Sequence, residues 1–90
     1  MKIRTGIGYD IHKLKPNIPL WIGGINIPFT KGLAGHSDGD VLIHAIVDAI
    51  LGAAGLGDIG QLFPSSDPRY KNIASTEFLK ETSNIIREHL

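Results

Sequence analysis

The chain has 90 residues, no cysteine, and nine basic side chains balanced by nine acidic ones. Without thiols there are no disulfides, no cysteine-ligated metal and no thiol catalysis, and zero net charge provides no field for nucleic acid or an anionic membrane. A chain this short is one domain at most and buries roughly two-thirds of its unfolded surface, so metal or self-association is an expected supplement to a thin core.

The apolar content, 42%, is that of a globular chain. Met1 to Gly6 lacks the apolar centre of a leader, and no apolar run approaches ~20 residues, so a cytoplasmic protein is expected. Lys2 to Tyr9 suits a strand that leads into the polar cluster Asp10-Ile11-His12. Pro16 to Pro19 reads as a loop. Leu20-Trp21-Ile22 and Ile25-Asn26-Ile27 flank Gly23-Gly24, a hairpin signal because glycine accepts the positive φ of the primed turns. Pro28 to Gly35 has the composition of a loop.

A helix is expected from a cap at Ser37 or Asp38 to about Ala54, with Asp38 and Asp40 favouring its positive end. It is apolar almost all round, which suits a core or a subunit interface, and Gly52, Gly55 and Gly57 fray its end. Leu56 to Tyr70 reads as a loop, since Pro64 and Pro68 oppose a regular element. A second helix starts near Ser75, with Phe78, Leu79, Thr82, Ile85, Ile86 and His89 on one face and Lys80, Glu81, Asn84 and Arg87 on the other. The order strand, β-hairpin, helix, loop, helix gives an α+β fold, an antiparallel or mixed sheet packed on helices. A lone hairpin is marginal without further strands, so residues 1–90 read as the truncated N-terminal part of a longer domain.

Asp40, His44 and Asp48 are spaced by four and form one polar stripe on the apolar helix. Ionisable groups buried without partners cost several kcal/mol. A capping Asp, a solvent-facing His and an exposed Asp account for the stripe as well as a functional site does. In Asp10-Ile11-His12 the period of two puts the carboxylate and imidazole on the same side of a strand. Those two with His44 from a distant helix would make a three-ligand zinc site with an open fourth position, although a bare D-x-H pair is most often a surface accident. His36-Ser37-Asp38-Gly39-Asp40 offers an imidazole, a hydroxyl and backbone N–H groups at a helix start, where phosphate binds readily; a capped helix beside an incidental His36 is the blander account. Asp58-Ile59-Gly60 and Phe63-Pro64-Ser65-Ser66-Asp67 are, by themselves, turn sequences.

Taken together, Gly6 to His12, Ile22-Gly23-Gly24, the run His36-Ser37-Asp38-Gly39-Asp40-Val41-Leu42-Ile43-His44, Leu56 to Gly60 and Leu62-Phe63-Pro64 closely resemble the cyclodiphosphate synthases of the non-mevalonate isoprenoid pathway. The resemblance runs from Ile3 to about Tyr70. It implies zinc on Asp10, His12 and His44. It puts His36, as the catalytic residue, and Ser37 against the phosphates of a cytidine diphosphate ester of methylerythritol 2-phosphate. Asp10, Ile11 and His12 border the same substrate, Asp58, Ile59 and Gly60 hold its methylerythritol hydroxyls, and Phe63, Pro64, Ser65, Ser66 and Asp67 form a mobile flap. Ser65 is a departure, since the family often has an acidic residue there. Asp40 and Asp48 fall to supporting or structural roles near His44.

The implied reaction closes 2-C-methyl-D-erythritol 2,4-cyclodiphosphate with release of cytidine monophosphate, with magnesium on the substrate phosphates and no protein nucleophile. The family is a homotrimer nearly twice as long per chain. Its second half carries the cytidine pocket, a Thr that stabilises the transition state and an acid serving magnesium, so ninety residues alone are expected to be inactive. Two readings of other classes apply if the length is natural. One is a non-catalytic zinc-binding fragment, favoured by a fourth protein ligand; the other is an oligomerising interaction domain, favoured by failure to bind metal.

Overall fold

The computed structural model describes residues 3–89. Two antiparallel strand pairs are nested. The inner pair is the expected hairpin, β2 (Leu20–Ile22) against β3 (Ile25–Ile27), in register Leu20 to Ile27 and Ile22 to Ile25. Gly23 and Gly24 hold φ of 64° and 80°, the doubly positive geometry that a type I′ turn demands. The outer pair was not expected: β1 (Leu14–Pro16) lies on residues given no element apart from the loop start at Pro16, and pairs with β4 (Lys31–Leu33), within an expected loop, with Lys15 opposite Gly32. These three-residue strands, one ending on proline and one centred on glycine, carry no alternation to give them away. Asn17, at φ 65°, turns the chain out of β1, a conformation asparagine tolerates better than most residues.

The strand expected over Lys2 to Tyr9 is not formed in its described part, and Lys2 lies outside the described residues. This segment has no ladder partner and runs along the first helix instead. A Cβ on Gly6 or Gly8 would run into the backbone carbonyls of Ala49 and Ala45, so glycine is what permits the approach. Ile7, Tyr9 and Ile11 are exposed, while Asp10 and His12 are half-buried. The two-residue alternation survives although the strand does not.

Helix α1 spans Val41–Ala54. Its cap is Asp40, whose Oδ1 accepts the N–H of Ile43, and not Ser37 or Asp38. Gly55 closes it in the left-handed conformation at φ 72°, donating to Gly52 and Leu51 carbonyls, so this glycine terminates the helix cleanly. Within the expected loop from Leu56 to Tyr70, a one-turn helix α2 (Ile59–Leu62) and a 3₁₀ turn (Pro68–Tyr70) take shape, started by Asp58 and Asp67. Helix α3 spans Ser75–His89. Its expected inner face holds, with Phe78 and Thr82 buried and Leu79, Ile85 and Ile86 half-buried; His89 alone is exposed and bonds back to the Ile85 carbonyl. The core is Ile43, Val47 and Leu51 of α1 against Phe78 of α3, flanked by Leu56, Ile59, Leu62, Phe63 and Tyr70. Residues 43, 47 and 51 recur every four, one stripe of α1. This α+β arrangement fixes α1 between the N-terminal segment and α3, with His44 facing both.

Candidate metal centre and its cleft

Asp10 and His12 arrive on the N-terminal segment, and His44 from the first turns of α1. Asp10 Oδ2 lies 3.0 Å from His12 Nδ1 and 3.2 Å from His44 Nδ1. One ligand atom from each of the three residues falls within 4.8 Å of the others. Ligand atoms held at 2.0–2.1 Å around a tetrahedral ion stand roughly 3.4 Å apart, so this spacing suits a small divalent cation. His12 Nδ1 is buried and has no hydrogen-bond partner despite its proximity to Asp10. Such an orphaned nitrogen is costly unless something else occupies its lone pair. The donor set of one carboxylate and two imidazoles fits zinc. Among the described residues the cluster has three protein members, leaving coordination for a ligand from outside.

The surroundings of His44 are polar on every side that is not core. Its Nε2 lies 2.8 Å from Ser75 Oγ and 3.3 Å from Ser37 Oγ. Its ring tilts against those of His12 and Phe78, with centroids 5.1 and 6.0 Å away. Asp38 does not cap α1 because its carboxylate is engaged elsewhere. It accepts the N–H of Ser75 at 2.8 Å and the Ser75 hydroxyl. Ala74, the residue before α3, has no side-chain acceptor, so Asp38 supplies the cap from a distant loop.

The centre opens onto a cleft of about 210 Å³. Of the residues singled out from sequence, Asp10, His12, His36, Ser37, His44, Ile59, Gly60, Phe63 and Ser65 line it. Ile11 points the other way and is exposed, as the two-residue period requires. Asp58 stands outside the lining with its Oδ1 accepting the Gln61 N–H at 2.9 Å, which starts α2. Pro64, Ser66 and Asp67 are not among the residues that line it. Sequence reasoning passed over three residues. Tyr70 and Phe78 line the cleft and stack with Phe63, at centroid distances of 4.9 to 5.7 Å. Ser75 is fully buried against His44; a lone serine at a helix start reads as a cap, and nothing in the sequence ties it to a histidine 31 positions earlier.

Neither acid of the α1 stripe supports His44 through its side chain. The Asp40 carboxylate is buried and accepts the N–H groups of Gly23 and Gly24 as well as Ile43. Asp48 Oδ1 accepts the N–H of Ile59 at 2.7 Å, pinning α2 to α1. His36 Nε2 lies 3.2 Å from the Asp67 carbonyl, and the His36 carbonyl accepts the Asn72 N–H, so both ends of the 3₁₀ turn are tied to His36. Asp67 and Arg69 form a fork, with Arg69 Nε and Nη2 donating to Asp67 Oδ2 at 3.0 and 2.7 Å. Those hydrogen bonds, then the one that Arg69 N–H donates to Asp67 Oδ1, and then the charge of the guanidinium hold the Asp67 carboxyl below its ordinary pKa.

Fold and site together define a class: a small α+β chain with an open cleft in which Asp10, His12 and His44 could hold a metal ion. The chain belongs to the YgbB family, whose model matches residues 3–90. It is 62% identical over 85 residues to the 2-C-methyl-D-erythritol 2,4-cyclodiphosphate synthase of Clostridium kluyveri, covering 94% of this chain and 52% of that protein. The synthase of the same name from Alkaliphilus oremlandii is 64% identical over 85 residues, covering 94% and 54%. A solved 2C-methyl-D-erythritol-2,4-cyclodiphosphate synthase in a CDP-bound form superposes with a TM-score of 0.86 at 46% identity, over 94% of this chain and 57% of that one. The bifunctional IspDF of Campylobacter jejuni gives a TM-score of 0.88 at 52% identity, over 96% of this chain and 23% of that one. The chain thus spans about half the length of the curated relatives it matches.

Proposed function

We propose that the complete protein to which these residues belong is a 2-C-methyl-D-erythritol 2,4-cyclodiphosphate synthase, acting as a cytoplasmic homotrimer in isoprenoid precursor synthesis. The observation that carries this reading is the three-membered Asp10/His12/His44 cluster opening beside His36 and Ser37, in a chain so similar to proteins of that name. A centre with three protein donors favours a reacting ligand over a closed structural site. The exposed apolar side chains of Ile7, Tyr9, Leu42 and Ile46 support burial against further chain or further copies.

In this reading the substrate is 4-diphosphocytidyl-2-C-methyl-D-erythritol 2-phosphate. An oxygen of its 2-phosphate attacks the β-phosphorus of its own diphosphate. The bond from that phosphorus to the bridging oxygen breaks, and cytidine monophosphate leaves with the electron pair. The chain supplies no nucleophile; its work is to fold the substrate back on itself and to meet the charge that develops. Zinc held by Asp10, His12 and His44 would supply Lewis-acid neutralisation of a phosphate oxygen. His36 and Ser37 border the reacting phosphates, with the imidazole oriented by its bond to the Asp67 carbonyl. Asp58, Ile59 and Gly60 would hold the methylerythritol hydroxyls, in a turn pinned to α1 by the bond from Ile59 N–H to Asp48. Phe63 and Ser65 close one wall, where the Ser65 hydroxyl would serve in place of the family's usual acid.

The test is release of cytidine monophosphate from this substrate by the full-length protein with zinc and magnesium. Turnover with appearance of the cyclic diphosphate is the expected result. A zinc-loaded, folded, full-length protein that leaves the substrate intact would overturn the proposal.

A further inference from the structure

Asp38 caps α3 through Ser75, and Ser75 in turn meets His44 at its buried edge. Ser75 is fully buried, its Oγ lies 2.8 Å from His44 Nε2, and the same oxygen is hydrogen-bonded to Asp38 Oδ1. A carboxylate can only accept, so the single hydroxyl proton of Ser75 is committed to Asp38. The serine oxygen is then an acceptor towards His44, and Nε2 must carry the proton between them. The backbone reinforces this, since Ser75 N–H donates to Asp38 Oδ2 and Asp40 N–H to Asp38 Oδ1. Asp38 and Ser75 are therefore each held by more than the bond under discussion.

A proton fixed on Nε2 leaves Nδ1 of the neutral ring with a bare lone pair, and that nitrogen is the one 3.2 Å from Asp10 Oδ2. Two lone pairs facing each other at that distance repel unless a cation lies between them. We infer that Asp38, Ser75 and His44 form a relay in which Ser75 is a positioning residue, setting the tautomer of His44 so that Nδ1 is presented to the metal. This rests on the reading of Asp10, His12 and His44 as a metal centre.

The test uses the full-length protein and two readouts other than turnover. Zinc affinity is measured by competition with a chelator for the wild type and for Ser75→Ala. Nitrogen NMR of the zinc-loaded wild type reports which imidazole nitrogen of His44 is coordinated and which keeps its proton. The expected result is coordination through Nδ1 with a protected Nε2–H, and a loss of zinc affinity of about 10–100-fold in Ser75→Ala, the scale of removing a hydrogen bond that orients a metal-bound histidine. If Ser75→Ala does not fold, the wild-type spectrum alone decides. Coordination through Nε2, or a folded Ser75→Ala with unchanged affinity, would overturn the relay and leave the metal centre intact. A wild type that binds no zinc would instead overturn the metal centre, and the relay with it.

Discussion

Asp40 Oδ2 accepts the N–H of Gly24 at 2.7 Å, joining the turn of the β2–β3 hairpin to the start of α1 across 16 residues. Its other oxygen takes the N–H groups of Gly23 and Ile43 at 2.9 and 3.1 Å. One buried carboxylate therefore closes a turn and caps a helix. Asp40→Ala leaves three donors without a partner, at a cost of about 3 kcal/mol when a cap and charged hydrogen bonds are lost together. Urea unfolding should show a lower midpoint at an unchanged slope. A midpoint equal to that of the wild type would show that water satisfies these donors as well as the carboxylate does.

Gly8 is predicted to be the most sensitive glycine of the N-terminal segment. A Cβ there would strike the Ala45 carbonyl of α1, and Asp10 follows two residues on. Gly8→Ala should destabilise by about 1–3 kcal/mol through overpacking and draw Asp10 away from His44. Zinc affinity should fall by about tenfold or more, as when a ligand loses its orientation. Chelator competition and thermal unfolding measure both. Intact zinc affinity in Gly8→Ala would mean that the segment tolerates displacement from α1.

How much of this was open to reading from the sequence follows the range of the interactions involved. The Gly23-Gly24 hairpin, both long helices and the inner face of α3 are local patterns, and each is where its pattern puts it. The juxtaposition of Asp10, His12 and His44 was legible through a two-residue period, a four-residue period and the resemblance to a family. Pairing of β1 with β4 was not, because the intervening hairpin brings the two segments together and no alternation in Leu14–Pro16 or Lys31–Leu33 marks them as strands. The cap of α1, expected at Ser37 or Asp38, sits two or three residues further on at Asp40 for a related reason. Asp38 and Asp40 are equivalent as sequence, and only the approach of Ser75 to Asp38 and of the hairpin glycines to Asp40 separates them.

The Asp67–Arg69 fork gives a pH prediction confined to the flap. Arg69 holds the Asp67 carboxyl below its ordinary value of 3.8. A depressed carboxyl contributes order that is fully present above the unfolded value and is lost as pH falls through the lower, folded one. Carbon NMR of the Asp67 carboxyl should therefore titrate below 3.8 in the wild type and return towards it in Arg69→Ala. The guanidinium is largely exposed, so added salt should weaken the effect and global stability should barely change. Titration of Asp67 at its ordinary value in the wild type would mean that the fork does not persist in solution.

The central claim is that Asp10, His12 and His44 hold the metal while His36 serves the reaction, and the most direct measurement compares His44→Ala with His36→Ala. Both are prepared in the full-length protein, and zinc per chain and cytidine monophosphate release are measured on the same samples. His44→Ala should lose its zinc. His36→Ala should keep its zinc while turnover falls by roughly 10²–10³, the scale of removing one group that stabilises a transition state. Full zinc retention by His44→Ala, or undiminished turnover in His36→Ala, would contradict the account.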